Sequence, residues 1–363
     1  MVFGSGGIVT GLDVGATSVK AATLQHRRGG VRLVGLAMAE IGDSDDREGA
    51  VVSAIRAALE GGGAGKNTPV VSVVGGPGVS VKHVTFPEMP RQALAESIRW
   101  EARKHVPFGG SDFVLDFQTL EGGEGDEEGE LQVLLAAVET RLLDSHIELL
   151  KAAGVEPDTV DLAPLALMNE VEEEGLLNGE AVAVIDLGVS AISMSVYRRK
   201  GLLFARSIPL VAKAVDATAP GDDTVAGRDK KDGKSDAEPG KAKADGKSDA
   251  GSGKAKVDGK SDAGSARAKA DAAGGWRKTV LREVRRSLAF YNNETGKQGI
   301  DRLYLTGGRA LAPGIDEMLQ NELGVATEVM NPLESLTDIG VEIGKLKPES
   351  ARFAIALGLA RRS

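Results

Sequence analysis

A chain of 363 residues, 42% apolar and 4% aromatic, is long enough for two domains with separate cores. With no cysteine it can form no disulfide, thiolate metal site or cysteine nucleophile. The net charge is −9, and because segment 228–275 holds 12 Lys+Arg against 9 Asp+Glu, the rest carries −12 and lacks the basic stripe that sequence-independent nucleic-acid binding needs.

The chain opens on IVTGLDVGATSVKAATL, residues Ile8–Leu24, two alternating apolar runs joined at Asp13-Val14-Gly15. The pattern predicts a β-hairpin. Its Gly-containing turn can approach an anion with successive N–H groups, and an Asp at the strand end can hold Mg²⁺ through water. A third strand is expected at Val31–Ala39, a helix at Asp46–Glu60, and strands at Pro69–Val74 and Val79–Phe86. Arg91–His105 reads as a helix with Leu94, Ile98 and Ala102 as its apolar stripe, ended by Pro107. Strands Phe113–Leu120 and Leu131–Val138 flank the acidic run Glu121–Glu130, expected to be a solvated hairpin tip. A helix at Arg141–Ala153, a strand at Thr159–Leu162 and a helix from Pro164 follow. Then Ala181–Leu210 repeats the opening pattern around Asp186-Leu187-Gly188. Two such hairpins at equivalent places in two halves could grip a triphosphate from both sides.

Three copies of a 13-residue repeat lie at Gly233–Asp245, Gly246–Asp258 and Gly259–Asp271. They hold almost no large apolar residue, so stacking them buries nothing, and a flexible tether is expected. Beyond them, Trp276–Tyr291 reads as a helix with Trp276, Val280, Val284 and Leu288 on one face. A strand at Arg302–Thr306 ends in Gly307-Gly308, and a helix at Pro313–Leu323 has proline in its first turn. No apolar run approaches the roughly 18 residues of a membrane span, and Met1–Gly7 lacks the features of a secretory leader, so a cytoplasmic protein is expected. The four histidines (His26, His83, His105 and His146) are scattered without metal-ligand spacing and read as surface or half-buried residues.

The two hairpins, with Leu305-Thr306-Gly307-Gly308, resemble the three nucleotide contacts of the actin-like ATPase superfamily. That resemblance implies an α/β fold of two ribonuclease-H-like halves with a nucleotide cleft between them. It implies ATP and Mg²⁺ as cofactors. Asp13, Gly15, Thr17, Ser18 and Lys20 match the D-x-G-x-x-S-x-K of the first phosphate loop. Asp186, Gly188 and Ser190 fall in the second loop, and Gly307 and Gly308 where the adenosine is approached, with Asp13 and Asp186 as the metal residues.

A second block is more specific. Phe86-Pro87-Glu88-Met89-Pro90, Ser97-Ile98-Arg99-Trp100-Glu101-Ala102 and Val106-Pro107-Phe108 resemble the PilM family of type IV pilus assembly proteins, where such a stretch opens a small α+β subdomain inserted in the first half. Phe204-Ala205-Arg206, Asn331-Pro332-Leu333 and Ala356–Arg361 are similar too. From the residues alone, Ile98, Trp100 and Phe108 are expected in the core of that subdomain. The resemblance implies a scaffold under the inner membrane, reaching the membrane only through its partner. In a groove beside the subdomain it would take the cytoplasmic tail of a PilN-like bitopic membrane protein. Coupling to pilus motor ATPases and a homo-oligomer are implied as well.

The expected layout is 1–85 for the first half of domain I, 86–138 for the inserted subdomain and 139–175 for the return to domain I. Domain II follows at 176–215 and 276–348, interrupted by a low-complexity linker at 216–275, and 349–363 is a helix returning to domain I. The departure from the family lies between Leu210 and Trp276, where Val211–Val215 and the repeats stand in place of a Gly-Gly turn and a helical subdomain. Glu139 is the one candidate for orienting a hydrolytic water, and its first reading is a helix-start residue favoured by the dipole. Two alternatives stay open on the same fold: a small-molecule kinase, and a filament-forming division protein of the FtsA type.

Overall fold

The computed structural model describes residues 7–120, 129–178, 181–199, 201–210, 261–296 and 298–362, with backbone only for 261–274. Most of the acidic run at 121–130, the first two repeats and the segment Val211–Val215 lie outside these residues.

The opening alternation forms β1 (Ile8–Val14) and β2 (Ser18–Arg27), paired antiparallel with Asp13 opposite Lys20. β3 (Gly30–Glu40) continues the meander. The chain then crosses through α1 (Arg47–Gly61), whose cap residue Asp46 accepts the Gly49 N–H at 2.9 Å. It returns as β4 (Val70–Val74), parallel to β1, and β8 (Thr159–Leu162) lies parallel to β4. The second half repeats the plan. β9 (Val182–Leu187), β10 (Ala191–Arg198) and β11 (Gly201–Pro209) form an antiparallel meander, with β12 (Arg302–Thr306) parallel to β9 and β13 (Ala326–Val329) parallel to β12. In each half the Asp-x-Gly strand sits between a hairpin partner and a parallel strand, so both aspartates emerge at the carboxyl end of a central strand, the usual place for ligands in such sheets.

Between β4 and α3 (Thr140–Ala152) the chain builds the inserted subdomain: β5 (Val79–Pro87), α2 (Arg91–His105), β6 (Phe113–Thr119) and β7 (Glu130–Glu139). Its sheet runs β5–β7–β6, so the pairing of β5 with β7 starts it at Val79, upstream of the expected 86. Leu94 and Ile98 of α2 pack on Val84, Phe86, Val133 and Leu135, and Phe108 is buried as expected. Trp100 is not: it is 86% exposed. It lies two residues from Ile98, about 200° around the helix, and therefore faces away from the stripe that packs.

Three other expectations need correction. His146 is buried, with a ring nitrogen 2.8 Å from Ser72 Oγ, and burial lowers its pKa against a smaller opposing effect of Asp13. α5 runs from Ser261 to Glu294, so it takes in most of the third repeat. Ala, Lys and Arg favour helix there without an apolar stripe to announce it. Its buried face holds Val280, Val284 and Tyr291, while Leu288 is only half-buried. α6 (Ile315–Leu323) begins after Gly314, which is left-handed, and so leaves Pro313 outside its first turn.

The chain also rejoins the first sheet earlier than 349. Leu333 and Leu336 pack with Leu24 and Leu33, and β14 (Asp338–Ile339) pairs parallel with β3. The last helix, α7 (Ala354–Ala360), is wholly buried and is fastened to α4 (Ala163–Glu173) by Arg361, whose Nε lies 2.8 Å from Glu170 Oε2 and Nη1 3.3 Å from Glu173.

Candidate functional site

Asp13, Gly15, Thr17, Ser18, Lys20, Asp186, Gly188, Ser190, Gly307 and Gly308 all line one cleft of about 210 Å³. The turn after β1 closes with Gly15 N–H donating to Ser18 O at 3.1 Å, and a Cβ at Gly15 would stand 2.8 Å from Lys20 Nζ. Among the described residues no acceptor is found for the amides of Ala16 and Thr17, or of Val189 and Ser190 in the second turn. All four residues line the cleft, so each hairpin brings a pair of unpaired amides to its wall, a setting that suits an anion. Gly307 is required for a different reason. Its φ is 86°, and a Cβ there would meet Asp186 Oδ1 at 2.3 Å and Leu187 O at 2.9 Å.

Lys20 Nζ is paired with Asp13 Oδ2 at 3.1 Å, both side chains nearly buried. Asp186 is half-buried and lines the cleft. Burial pushes its carboxyl up to about 7, with repulsion from Asp13 adding to the rise and Lys20 opposing it. Two carboxylates that repel one another across a cleft fit a hydrated Mg²⁺, which needs only one or two protein carboxylates and takes its other ligands from water and phosphate. Glu139 is the N-cap residue of α3 and is not among the residues lining the cleft.

Among the cleft residues that escaped the sequence, Arg352 is the charged one. Arg352, in the 3₁₀ turn Lys347–Phe353 before α7, donates from Nη2 to Ser18 Oγ at 2.9 Å and to Glu40 at 3.1 Å. Its partner on the first hairpin is 334 positions away, and no local pattern marks it.

A second cavity, of about 650 Å³, lies between β5, an edge strand of the inserted sheet, and β11, an edge strand of the second half. Pro77, Val79, His83, His105, Pro107, Phe204, Arg206 and Phe290 are among its walls. A ring nitrogen of His83 is hydrogen-bonded to the Leu202 carbonyl, which ties the two edges together. Lys82 and Glu294 pair across it at 3.6 Å. Trp100 is not part of this groove.

A family model described as type IV pilus assembly protein PilM matches residues 11–212 and 269–363. Among solved structures, the chain is similar to a PilM-PilN type IV pilus biogenesis complex, with a TM-score of 0.72 and 23% identity over 98% of both chains. The ethanolamine utilization protein EutJ of Carboxydothermus hydrogenoformans aligns over 98% of this chain and 90% of its own, at 12% identity and a TM-score of 0.46. The cell division protein FtsA of Streptococcus pneumoniae is 27% identical over 224 residues, which is 54% of this chain and 49% of FtsA, so the match spans about half of that relative. The two meanders, the inserted subdomain and the family match over most of the sequence lead to one conclusion: the chain belongs to the PilM family of type IV pilus assembly proteins and has an actin-like fold.

Proposed function

We propose that this chain is a cytoplasmic scaffold of pilus assembly that takes the tail of a PilN-like membrane protein in the groove between β5 and β11. ATP with Mg²⁺ serves in the cleft as a conformational ligand. The observation that carries the first part is the groove itself, a channel between two strand edges whose walls mix apolar side chains such as Val79, Phe204 and Phe290 with charged ones, a form that can receive an extended peptide. Membrane association is then indirect, through that partner, and no helix of the described residues is long and apolar enough to cross a membrane. Motor ATPases and further copies of the chain are the other partners this role calls for.

In the cleft, the open amides of the two turns and Lys20 surround the phosphates, with Thr17, Ser18 and Ser190 beside them. Gly188 keeps the second turn open, and Gly307 and Gly308 leave room for ribose and base. Asp13 and Asp186 hold the metal, which supplies neutralising charge to carboxylates and phosphates together. The convergence of these residues supports binding. Glu139, the one candidate for placing a water, lies elsewhere, which favours a ligand role over rapid turnover.

The tail reading is tested by calorimetric titration with a synthetic peptide copying the cytoplasmic segment of the PilN-like protein. Saturable binding that weakens with Phe290→Ala, a change at a 45% exposed side chain on the groove wall, is expected. Absence of binding, or binding indifferent to Phe290, would contradict the assignment.

A further inference from the structure

The groove holds a charge that has no ion-pair partner among the described residues. Arg206 projects from β11, opposite Met194 in the strand register, and its guanidinium stacks 4.8 Å from the ring centre of Phe290. No carboxylate among the described residues lies within salt-bridge distance of it, and its buried Nη1 has no hydrogen-bond partner. On the other wall, buried Nε2 of His105 is also without a partner. Neighbouring Lys82 and Glu294 answer each other, so the groove is left with one uncompensated cation and two orphaned nitrogens. Buried polar atoms nearly always find partners, and one left unsatisfied costs the fold, although Arg206 and His105 as whole residues are half-buried. A free protein that keeps both atoms unsatisfied in one groove is built to satisfy them with something that enters it.

The geometry points to Arg206, assisted by His105, as the residue that reads an acceptor oxygen of the docked segment. This rests on the assignment of the groove to the PilN-like tail and adds the chemistry by which the tail is selected. The segment places an apolar side chain against Phe204 and Phe290 and presents an oxygen to the guanidinium fork. The uncompensated positive charge favours a carboxylate, and a backbone carbonyl or side-chain amide offers the same acceptor without the charge. Lysine would replace Arg206 only in part, because it lacks both the planar fork and the stacking face that Phe290 fixes.

The experiment uses the full chain and the same tail peptide. Arg206→Ala weakens binding at least about tenfold, equivalent to about 1.4 kcal/mol, and Arg206→Lys restores only part of it. The urea midpoint of free Arg206→Ala stays close to wild type, since the half-buried side chain has no ion-pair partner and gives up only its stacking on Phe290. If a carboxylate is read, affinity falls with added salt and with replacement of the tail's acidic residue by its amide. If a carbonyl is read, affinity is insensitive to both, and either result supports the inference. Wild-type affinity in Arg206→Ala, with Phe290→Ala still weakening the peptide, would overturn the inference and leave the groove assignment standing. A lowered urea midpoint would show that Arg206 serves the fold, and would overturn it too. No binding by the wild-type chain would overturn both.

Discussion

Replacing Asp186 by Asn separates what the cleft costs the fold from what it does for a ligand. The carboxyl, ordinarily at 3.8, stands near 7 in the folded protein because burial and the charge of Asp13 disfavour its ionised form. Each tenfold change in proton affinity is about 1.4 kcal/mol, so the ionised group costs the fold about 4 kcal/mol once it is fully charged. Water reaching this half-buried side chain lowers the figure, to about 2–3 kcal/mol. The sign follows from the raised value. The folded state holds the proton between pH 4 and 7 where the unfolded chain has lost it, so stability falls as pH rises through that window, with the whole penalty present above about 7. Asp186→Asn removes the penalty. In metal-free protein its urea-derived stability exceeds wild type by about 2–3 kcal/mol at pH 8, and the gain shrinks as the pH drops toward 4. The same variant loses Mg²⁺-dependent nucleotide binding. Equal stability at both ends of the range, or a loss at pH 8, would refute the claim that Asp186 is a strained, ligand-awaiting carboxylate.

Two further substitutions probe the frame around the cleft. Arg361→Ala strands the buried carboxylate of Glu170 and should cost about 3–5 kcal/mol in chemical denaturation. Because burial already raises the Glu170 pKa, that loss is smaller at acidic pH, where the carboxyl takes up a proton, and Glu170→Gln in the same chain recovers most of it. Gly307→Ala drives a Cβ into Asp186 at a φ of 86° and should cost about 1–3 kcal/mol in thermal or urea unfolding, along with nucleotide affinity.

What the sequence disclosed was local. Alternation and Asp-x-Gly placed both hairpins, and cross-strand pairing then carried Asp13 and Asp186 to the same cleft, because each half repeats one plan. The 91–105 helix was legible to the residue, since an apolar stripe every four positions and a closing proline both mark it. Trp100 misled because its size suggests a core residue while its phase on the helix turns it outward. Arg352 and the groove were illegible for another reason. Arg352 meets Ser18 from the far end of the chain, and the groove forms where His83 meets Leu202, 119 positions later. Periodicity carries no information about such meetings. The helix over most of the third repeat was hidden because alanine-rich polar sequence favours helix without declaring a face.

The proposed function requires that the cleft bind nucleotide through its two hairpins. The most direct test is a calorimetric titration of the full chain with ATP and Mg²⁺ beside an Asp13→Ala control. Saturable binding at or below millimolar ATP, lost in Asp13→Ala and without rapid phosphate release, is the predicted result. No binding at millimolar ATP, or binding unchanged by the substitution, would contradict it.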